Sequence, residues 1–138
     1  MDNFIEIGAQ ATASRTVTAA DLASALSDNH ADHFPDVFAT ARMVALMELA
    51  AARVLKPLLT DGELSVGVTV DVSHSAATAL GDSVSATATY VGREGKLYIF
   101  EVMARDTAGE IGRGTHRRAI ISTTRLLEGA ERRRRRED

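Results

Sequence analysis

The chain of 138 residues has no cysteine, no tryptophan, only two prolines and only six aromatic residues. Without cysteine, a disulfide framework, a thiolate metal site and a cysteine nucleophile are all excluded, and the composition suits the cytoplasm. No stretch approaches the roughly 18 apolar residues that span a bilayer. The opening MDNFIEIGAQ lacks both the basic segment and the apolar run of a signal peptide. We therefore expect one cytoplasmic domain that buries its core without cross-links and without a membrane.

The formal charge of −3 conceals an uneven distribution. Residues 132–136 are five consecutive arginines, so the rest of the chain carries 11 basic and 19 acidic side chains, a net −8. Such an acidic body does not favour binding to nucleic acid. The arginine run could contact phosphates. Because acids flank it and no aromatic residue is interleaved, we interpret residues 128–138 as a disordered, Arg-rich tail.

One long helix is predicted from Val37 to Lys56. Apolar residues recur there at spacings of three and four, and alanines fill most of the other positions, so the helix should be buried on most sides. Pro35 disfavours helix at Phe34 and favours a start just after it, and Pro57 ends the helix.

The segment before this helix is predicted to contain shorter elements. We expect a broken first strand over residues 4–7 and 14–18. A short helix should follow and end at Leu26, with Thr18 or Asp21 as its cap.

From Ser65 onward the periodicity changes to two, which indicates strands. Four valines of the first of these strands are expected to share one face, and His74 has their parity, so it should end the face turned toward the helix. Gly67 interrupts the strand and indicates a bulge or a close backbone approach. Three further strands are predicted over residues 83–90, 97–105 and 110–124. One buried helix before four antiparallel strands predicts an α+β fold in which the sheet wraps around the helix, in a single domain.

Three side chains of these elements could carry chemistry. Thr40 lies where the long helix begins, so it could attack or orient a carbonyl beside unpaired N–H groups, or simply cap the helix. Glu48 is the single acid of the predicted helix, and burying it would cost several kcal/mol unless a partner compensates or its face reaches solvent. His74 could be a general base or a hydrogen-bonded core histidine. The spacing of the three is not that of metal ligands, so we expect no metal.

Several segments in order carry a family resemblance: FPDVFAT ending at Thr40, LME ending at Glu48, the strand from Gly67 running into SHSAAT, and IGRGTHRRA near the C-terminus. Over residues 34–122 the chain resembles the fluoroacetyl-CoA thioesterase group of hotdog-fold proteins. The resemblance implies a hotdog thioesterase domain over residues 1–127, with an antiparallel sheet around one long central helix. It also implies a homodimer that joins two sheets edge to edge.

The resemblance implies that Thr40, Glu48 and His74 are catalytic, with His74 as the general acid and base. The activity implied is hydrolysis of a short-chain acyl-CoA to the free acid and CoA. CoA would enter as part of the substrate, and no cofactor is expected.

Other positions of the resemblance concern the substrate. Residues 27–34 form a polar loop that could act as a lid, and Phe34 at its end matches a lid phenylalanine of the family. Ala31 replaces a second lid aromatic, which leaves a preference for fluoroacetyl-CoA open. Gly67 is implied beside the acyl group. Arg118 is implied near the substrate, where it could hold a CoA phosphate, pair with the glutamate or form a surface ion pair.

Two other functions stay open from the residues alone. The same fold could bind acyl-CoA without hydrolysing it or act in the manner of a dehydratase. The arginine run could also serve an interaction protein that recognises RNA or acidic partners. Release of free CoA from an acyl-CoA distinguishes hydrolysis from both.

Overall fold

The computed structural model describes residues 4–136. Its helices and strands are β1 (Gln10–Thr16), α1 (Thr40–Leu55), β2 (Glu63–His74), β3 (Ser83–Glu94), β4 (Leu97–Asp106), β5 (Gly109–Ser122) and α2 (Thr123–Arg135). The strands form one antiparallel sheet in the order β1-β3-β4-β5-β2. Within the described residues, neither helix is long and apolar enough to cross a membrane.

The sheet curls around α1, which confirms the predicted arrangement. The buried residues of α1 recur at spacings of three and four: Met43, Leu46, Met47, Ala50, Ala51, Val54 and Leu55. They meet the alternating inner face of β3, where alanines at 86 and 88 are fully buried and leave room for the helix to approach. Each large apolar side chain buried in this way contributes about 1.5–3 kcal/mol.

The start of α1 differs from the predicted start at Val37. The N–H of Phe38 donates to the carbonyl of Thr78, and the N–H of Ala39 donates to the carbonyl of Asp21. These long-range hydrogen bonds keep residues 38 and 39 out of the first helical turn, so α1 begins at Thr40.

The segment before α1 also differs from the prediction. β1 is a single uninterrupted strand, and residues 4–7 belong to no strand. The predicted short helix consists of two 3₁₀ turns, Ala19–Asp21 and Ala23–Leu26. The buried carboxylate of Asp21 accepts hydrogen bonds from both the N–H and the hydroxyl of Thr18, which fixes the first turn.

A β-bulge interrupts β2 between Gly67 and Thr69, as the glycine indicated. The register passes from the pair Gly67–Arg118 to the pair Thr69–Arg117, so Val68 is the extra residue. Since an extra residue reverses the alternation of faces, the prediction that four valines share one face is wrong.

The inner face of β2 changes its residue parity at this bulge. Before the bulge Gly67 faces α1, and after it Val70, Val72 and His74 continue that face, with His74 opposite Gly112 of β5. His74 therefore points inward as expected, on the same face as Val70 and Val72, whereas Val66 precedes the bulge and lies on the other face.

The C-terminal residues form α2, whereas the sequence predicted a disordered tail from residue 128. Ser122 caps the helix by accepting a hydrogen bond from the N–H of Arg125. Glu131 pairs with Arg134 one turn later, which offsets part of the repulsion within the arginine run. Residues 137 and 138 of the predicted tail lie outside the described residues.

Candidate active site

Thr40 and His74 meet where the first residue of α1 faces the last residue of β2. The hydroxyl oxygen of Thr40 lies 2.8 Å from Nδ1 of His74, at hydrogen-bond distance. Ala39 is the N-cap of α1, and no side chain caps the helix there. The hydroxyl of Thr40 is thus engaged with an imidazole and not with the helix N-terminus.

The second nitrogen of His74 is left without a partner. Nε2 is buried and has no hydrogen-bond partner within residues 4–136. A buried polar atom without a partner costs free energy, so an unpaired ring nitrogen in a native structure calls for an explanation such as a catalytic role.

An open pocket of about 480 Å³ lies against the Thr40–His74 pair. Its other lining is mainly apolar and comes from the segment before α1, including Leu26, Phe34 and Phe38. Phe34, which the resemblance matched to a lid residue, is half-exposed and belongs to this lining. The pocket thus has a polar pair on one wall and apolar side chains on the others.

Glu48 lies in a different cluster, further along α1. Its Oε1 is 3.7 Å from Nη1 of Arg118, and its side chain is 42% exposed. The carboxylate occupies the space above Gly67, where an added Cβ would lie only 2.1 Å from Oε1. Glu48 therefore has the solvent access and the Arg118 partner that the sequence left as alternatives.

Arg118 is buried and held by several acceptors. Its Nε donates to the hydroxyl of Ser65 at 3.0 Å, and its Nη2 donates to the carbonyl of Ser65 at 2.9 Å. Burial lowers the pKa of Arg118 from its ordinary value, while the nearby charge of Glu48 raises it. The guanidinium thus faces the carboxylate from a fixed position on β5.

His116 completes this cluster and was not predicted as a site residue. It is 1% exposed, and its Nδ1 lies 2.8 Å from the carbonyl of Thr69 while its Nε2 lies 3.2 Å from Nη1 of Arg118. Burial lowers the pKa of His116, the charge of Arg118 lowers it further, and the Thr69 hydrogen bond and Glu48 oppose the shift. The signal in the sequence was the alternation that puts residues 116 and 118 on one face.

Within one chain, the structure brings Thr40 to His74 but does not bring Glu48 to that pair. Eight residues of helix separate Thr40 from Glu48, about 12 Å along the axis. No hydrogen bond among the described residues joins Glu48 to either side chain of the pair.

β2, which carries parts of both clusters, is an edge strand of the sheet. Its exposed stretch includes Val68, 51% exposed, and Val70, 44% exposed. An edge with exposed apolar side chains and unpaired backbone groups is a surface on which a second strand can pair.

A curled antiparallel sheet around one central helix defines the class of hotdog-fold proteins, and solved structures agree. A thioesterase superfamily member from Thermus thermophilus matches with a TM-score of 0.84 at 27% identity, over 94% of this chain and 93% of that one. The predicted hotdog fold is confirmed.

The chain belongs to the family of fluoroacetyl-CoA-specific thioesterases, whose model matches residues 17–124. The fluoroacetyl-CoA thioesterase of Streptantibioticus cattleyicolor is 48% identical over 88 residues, which are 64% of this chain and 63% of that protein. The match thus spans less than two thirds of that relative. A structure of the fluoroacetyl-CoA thioesterase FlK matches with a TM-score of 0.86 at 36% identity, over 98% of this chain and all of that one. The resemblance read from the sequence motifs is confirmed.

Proposed function

We propose that the protein is a thioesterase that hydrolyses a short-chain acyl-CoA to the free acid and CoA. The observation that carries this proposal is the 2.8 Å contact between the Thr40 hydroxyl and His74 Nδ1 on the wall of a pocket. Membership of a thioesterase family supports it independently.

In the proposed reaction, His74 moves the proton. Nδ1 accepts the proton of Thr40 when the threonine oxygen attacks the thioester carbonyl, or the proton of a water that Thr40 orients for the same attack. The C–S bond then breaks, and the imidazolium returns the proton to the departing CoA sulfur. If an acyl-threonine forms, His74 activates the water that hydrolyses it.

The start of α1 is suited to the charge that develops on the carbonyl oxygen. The N–H groups of Thr40 and Ala41 belong to the first helical turn and have no acceptor within the helix. Donors aimed at the developing oxyanion contribute about 3 kcal/mol each in comparable enzymes. The proposed reaction therefore needs no metal or cofactor, and CoA enters only as substrate.

Glu48 joins the reaction from a second copy of the chain in this proposal. Two β2 edges paired antiparallel about Val70 would place His74 of one copy beside the Gly67 region of the other. Since Glu48 lies over Gly67, the carboxylate of one copy would approach the imidazole of its partner. The edge position of β2 and its exposed valines support this homodimer.

A complementation experiment tests this arrangement. His74→Ala and Glu48→Gln should each lose most turnover while their thermal unfolding stays close to that of the wild type. In co-expressed mixed dimers, one of the two sites contains both intact residues. If half of the dimers are mixed, about a quarter of the wild-type activity returns. No recovery in verified mixed dimers would show that Glu48 does not act across the dimer.

The activity itself is tested with a panel of short acyl-CoAs and a thiol reagent that detects free CoA. Acetyl-CoA and fluoroacetyl-CoA should be compared side by side, because Phe34 is present whereas Ala31 stands where the family has a second lid aromatic. An acyl-CoA that binds without releasing CoA would instead support a non-hydrolytic or dehydratase-like protein. A cytoplasmic location stays a prediction.

A further inference from the structure

His116 is a buried, titratable side chain that the proposed reaction does not use. It lies on β5 between the backbone of β2 and the guanidinium of Arg118, and both of its ring nitrogens are engaged. Two fixed partners restrict a fully buried imidazole to one ring orientation and one arrangement of its protons.

The partners determine where the proton of this imidazole lies. The carbonyl of Thr69 can only accept, so Nδ1 of His116 carries the hydrogen and donates it at 2.8 Å. The guanidinium of Arg118 can only donate, so Nε2 is unprotonated and accepts at 3.2 Å. The neutral Nδ1–H tautomer is the form that satisfies both contacts.

The surroundings of His116 favour this neutral form. Glu48 faces it from α1 and Arg118 from its own strand, whereas β2 and β4 contribute apolar side chains such as Val70 and Val102. A second proton on Nε2 would direct a donor and a positive charge at the guanidinium. The lowered pKa of His116, due first to burial and then to Arg118, agrees with a ring that stays neutral at neutral pH.

We propose that His116 is a positioning residue: as the neutral Nδ1–H tautomer, it holds the Arg118 guanidinium in place and thereby sets the position of the Glu48 carboxylate. This inference rests on the proposed role of Glu48 in hydrolysis. His116 touches no substrate in this scheme and acts through Arg118 alone.

Protonation of His116 would disturb this arrangement in acid. Arg118 would lose an acceptor, meet a like charge and release its hold beside Glu48. Part of the activity loss on the acid side should therefore come from His116. A variant that cannot titrate at position 116 should lack this part.

The kinetic test compares His116→Gln with His116→Leu in the full chain. Glutamine keeps a donor and an acceptor on one side chain, whereas leucine keeps neither at a similar volume. We expect His116→Leu to lower kcat by about 10²-fold, the size of effect that a 1 Å misplacement produces. His116→Gln should recover at least part of that loss and show a shallower fall of activity in acid than the wild type.

Coupling to Glu48 separates a positioning role from a general effect on folding. In a Glu48→Gln background, the residual activity should not fall further on His116→Leu, because the carboxylate that His116 positions is already absent. Equal losses in the two backgrounds would overturn the proposal, as would wild-type kcat in a folded His116→Leu protein. If His116→Leu does not fold, the comparison of His116→Gln in the two backgrounds decides the question in the same way.

A spectroscopic measurement tests the tautomer without any activity. The ring signals of His116 in histidine-labelled protein, assigned by their loss in His116→Gln, should show Nδ1–H and unprotonated Nε2 at neutral pH. The Nε2–H tautomer or a charged ring would overturn the inference. Failure of the proposed function is recognised separately, since wild-type protein would then release no CoA whatever the state of His116.

Discussion

Replacing Gly67 by alanine should separate activity from stability in this protein. A Cβ at position 67 would lie 2.1 Å from Oε1 of Glu48, against 3.4 Å or more in an ordinary contact. The carboxylate must therefore move by about 1.3 Å, the difference between these two distances. The added carbon would also lie 3.2 Å from Cε1 of His116, so the buried ring must yield by a few tenths of an ångström as well.

The cost to the fold should be small. The atom that must move furthest is the end of a flexible, partly exposed side chain, the contact with His116 needs only a small shift, and the backbone at Gly67 is not in the left-handed region that favours glycine. Alanine also restricts the unfolded chain, which stabilises proteins by about 0.4–1 kcal/mol at compatible positions. We expect the free energy of unfolding to change by less than about 1 kcal/mol.

The cost to catalysis should be much larger. A displacement of about 1 Å in a catalytic group lowers rates by about 10²-fold, which corresponds to about 2.7 kcal/mol in the activation free energy. Thermal unfolding by circular dichroism and release of CoA from an acyl-CoA measure the two quantities on the same preparation. Gly129→Ala is the matched control, because the nearest atom to its added Cβ is 3.8 Å away on the exposed helix α2.

The double variant with Glu48→Gln identifies the cause of the loss. If the methyl group acts by displacing the carboxylate, it should cause no further loss once that carboxylate has been replaced. A further tenfold loss would mean that the methyl group obstructs the acyl group directly. Wild-type turnover in Gly67→Ala, or a collapse of its stability, would refute the reasoning.

Three more predictions follow from contacts around the site. Thr40→Val should lower turnover by at least about 10²-fold yet change stability little, because the hydroxyl does not cap α1; Thr40→Ser, assayed in parallel, should keep activity. Gly112→Ala should destabilise the fold by about 1–3 kcal/mol in chemical denaturation, because its Cβ would lie 2.5 Å from the rigid carbonyl of Ser73. A third concerns acid unfolding: burial raises the pKa of Asp21, but the hydrogen bonds from Thr18 and two nearby arginines outweigh it and hold the pKa below its ordinary 3.8. The stability that Asp21 contributes is thus present above pH 3.8 and is lost as the pH falls through the folded-state value. Asp21→Asn should therefore have a lower free energy of unfolding than the wild type at neutral pH, and the two free energies should converge in acid.

The sequence predicted the helix and the strands well because each has its own period and its own stop signals. Alternation in β3 and the three-four spacing in α1 are local properties, so the layer of one helix against one sheet followed directly. The start of α1 was missed because the N–H groups of Phe38 and Ala39 bond to residues far away in the chain. No local pattern reports such partners.

The candidate site also depends on contacts that no local sequence pattern reports. Thr40 and His74 were expected to meet, and they lie at hydrogen-bond distance. Glu48 was expected beside them, yet within the chain it lies with Arg118. A sequence read one chain at a time cannot distinguish a contact within a subunit from one between subunits. His116 was overlooked as a site residue because a core histidine and a positioning histidine have the same sequence pattern.

The C-terminal helix shows where composition misleads. An arginine run between acids resembles a solvated tail, but Ser122 supplies a cap, and most residues after Thr124 have good helix propensity. Local propensity and the ion pairs of Glu131 with Arg134 and Arg135 accompany a helix in a segment that buries none of its residues.

The extra residue in β2 gives this strand room to lose one residue without turning over. Removal of Val68 would make Gly67 and Thr69 consecutive partners of Arg118 and Arg117, so Gly67 and His74 would both still face inward. Only the local bend and the added twist that a bulge gives a strand would be lost. Relatives that lack this residue should therefore keep the same two side chains inside and differ in how the free edge of the sheet curves.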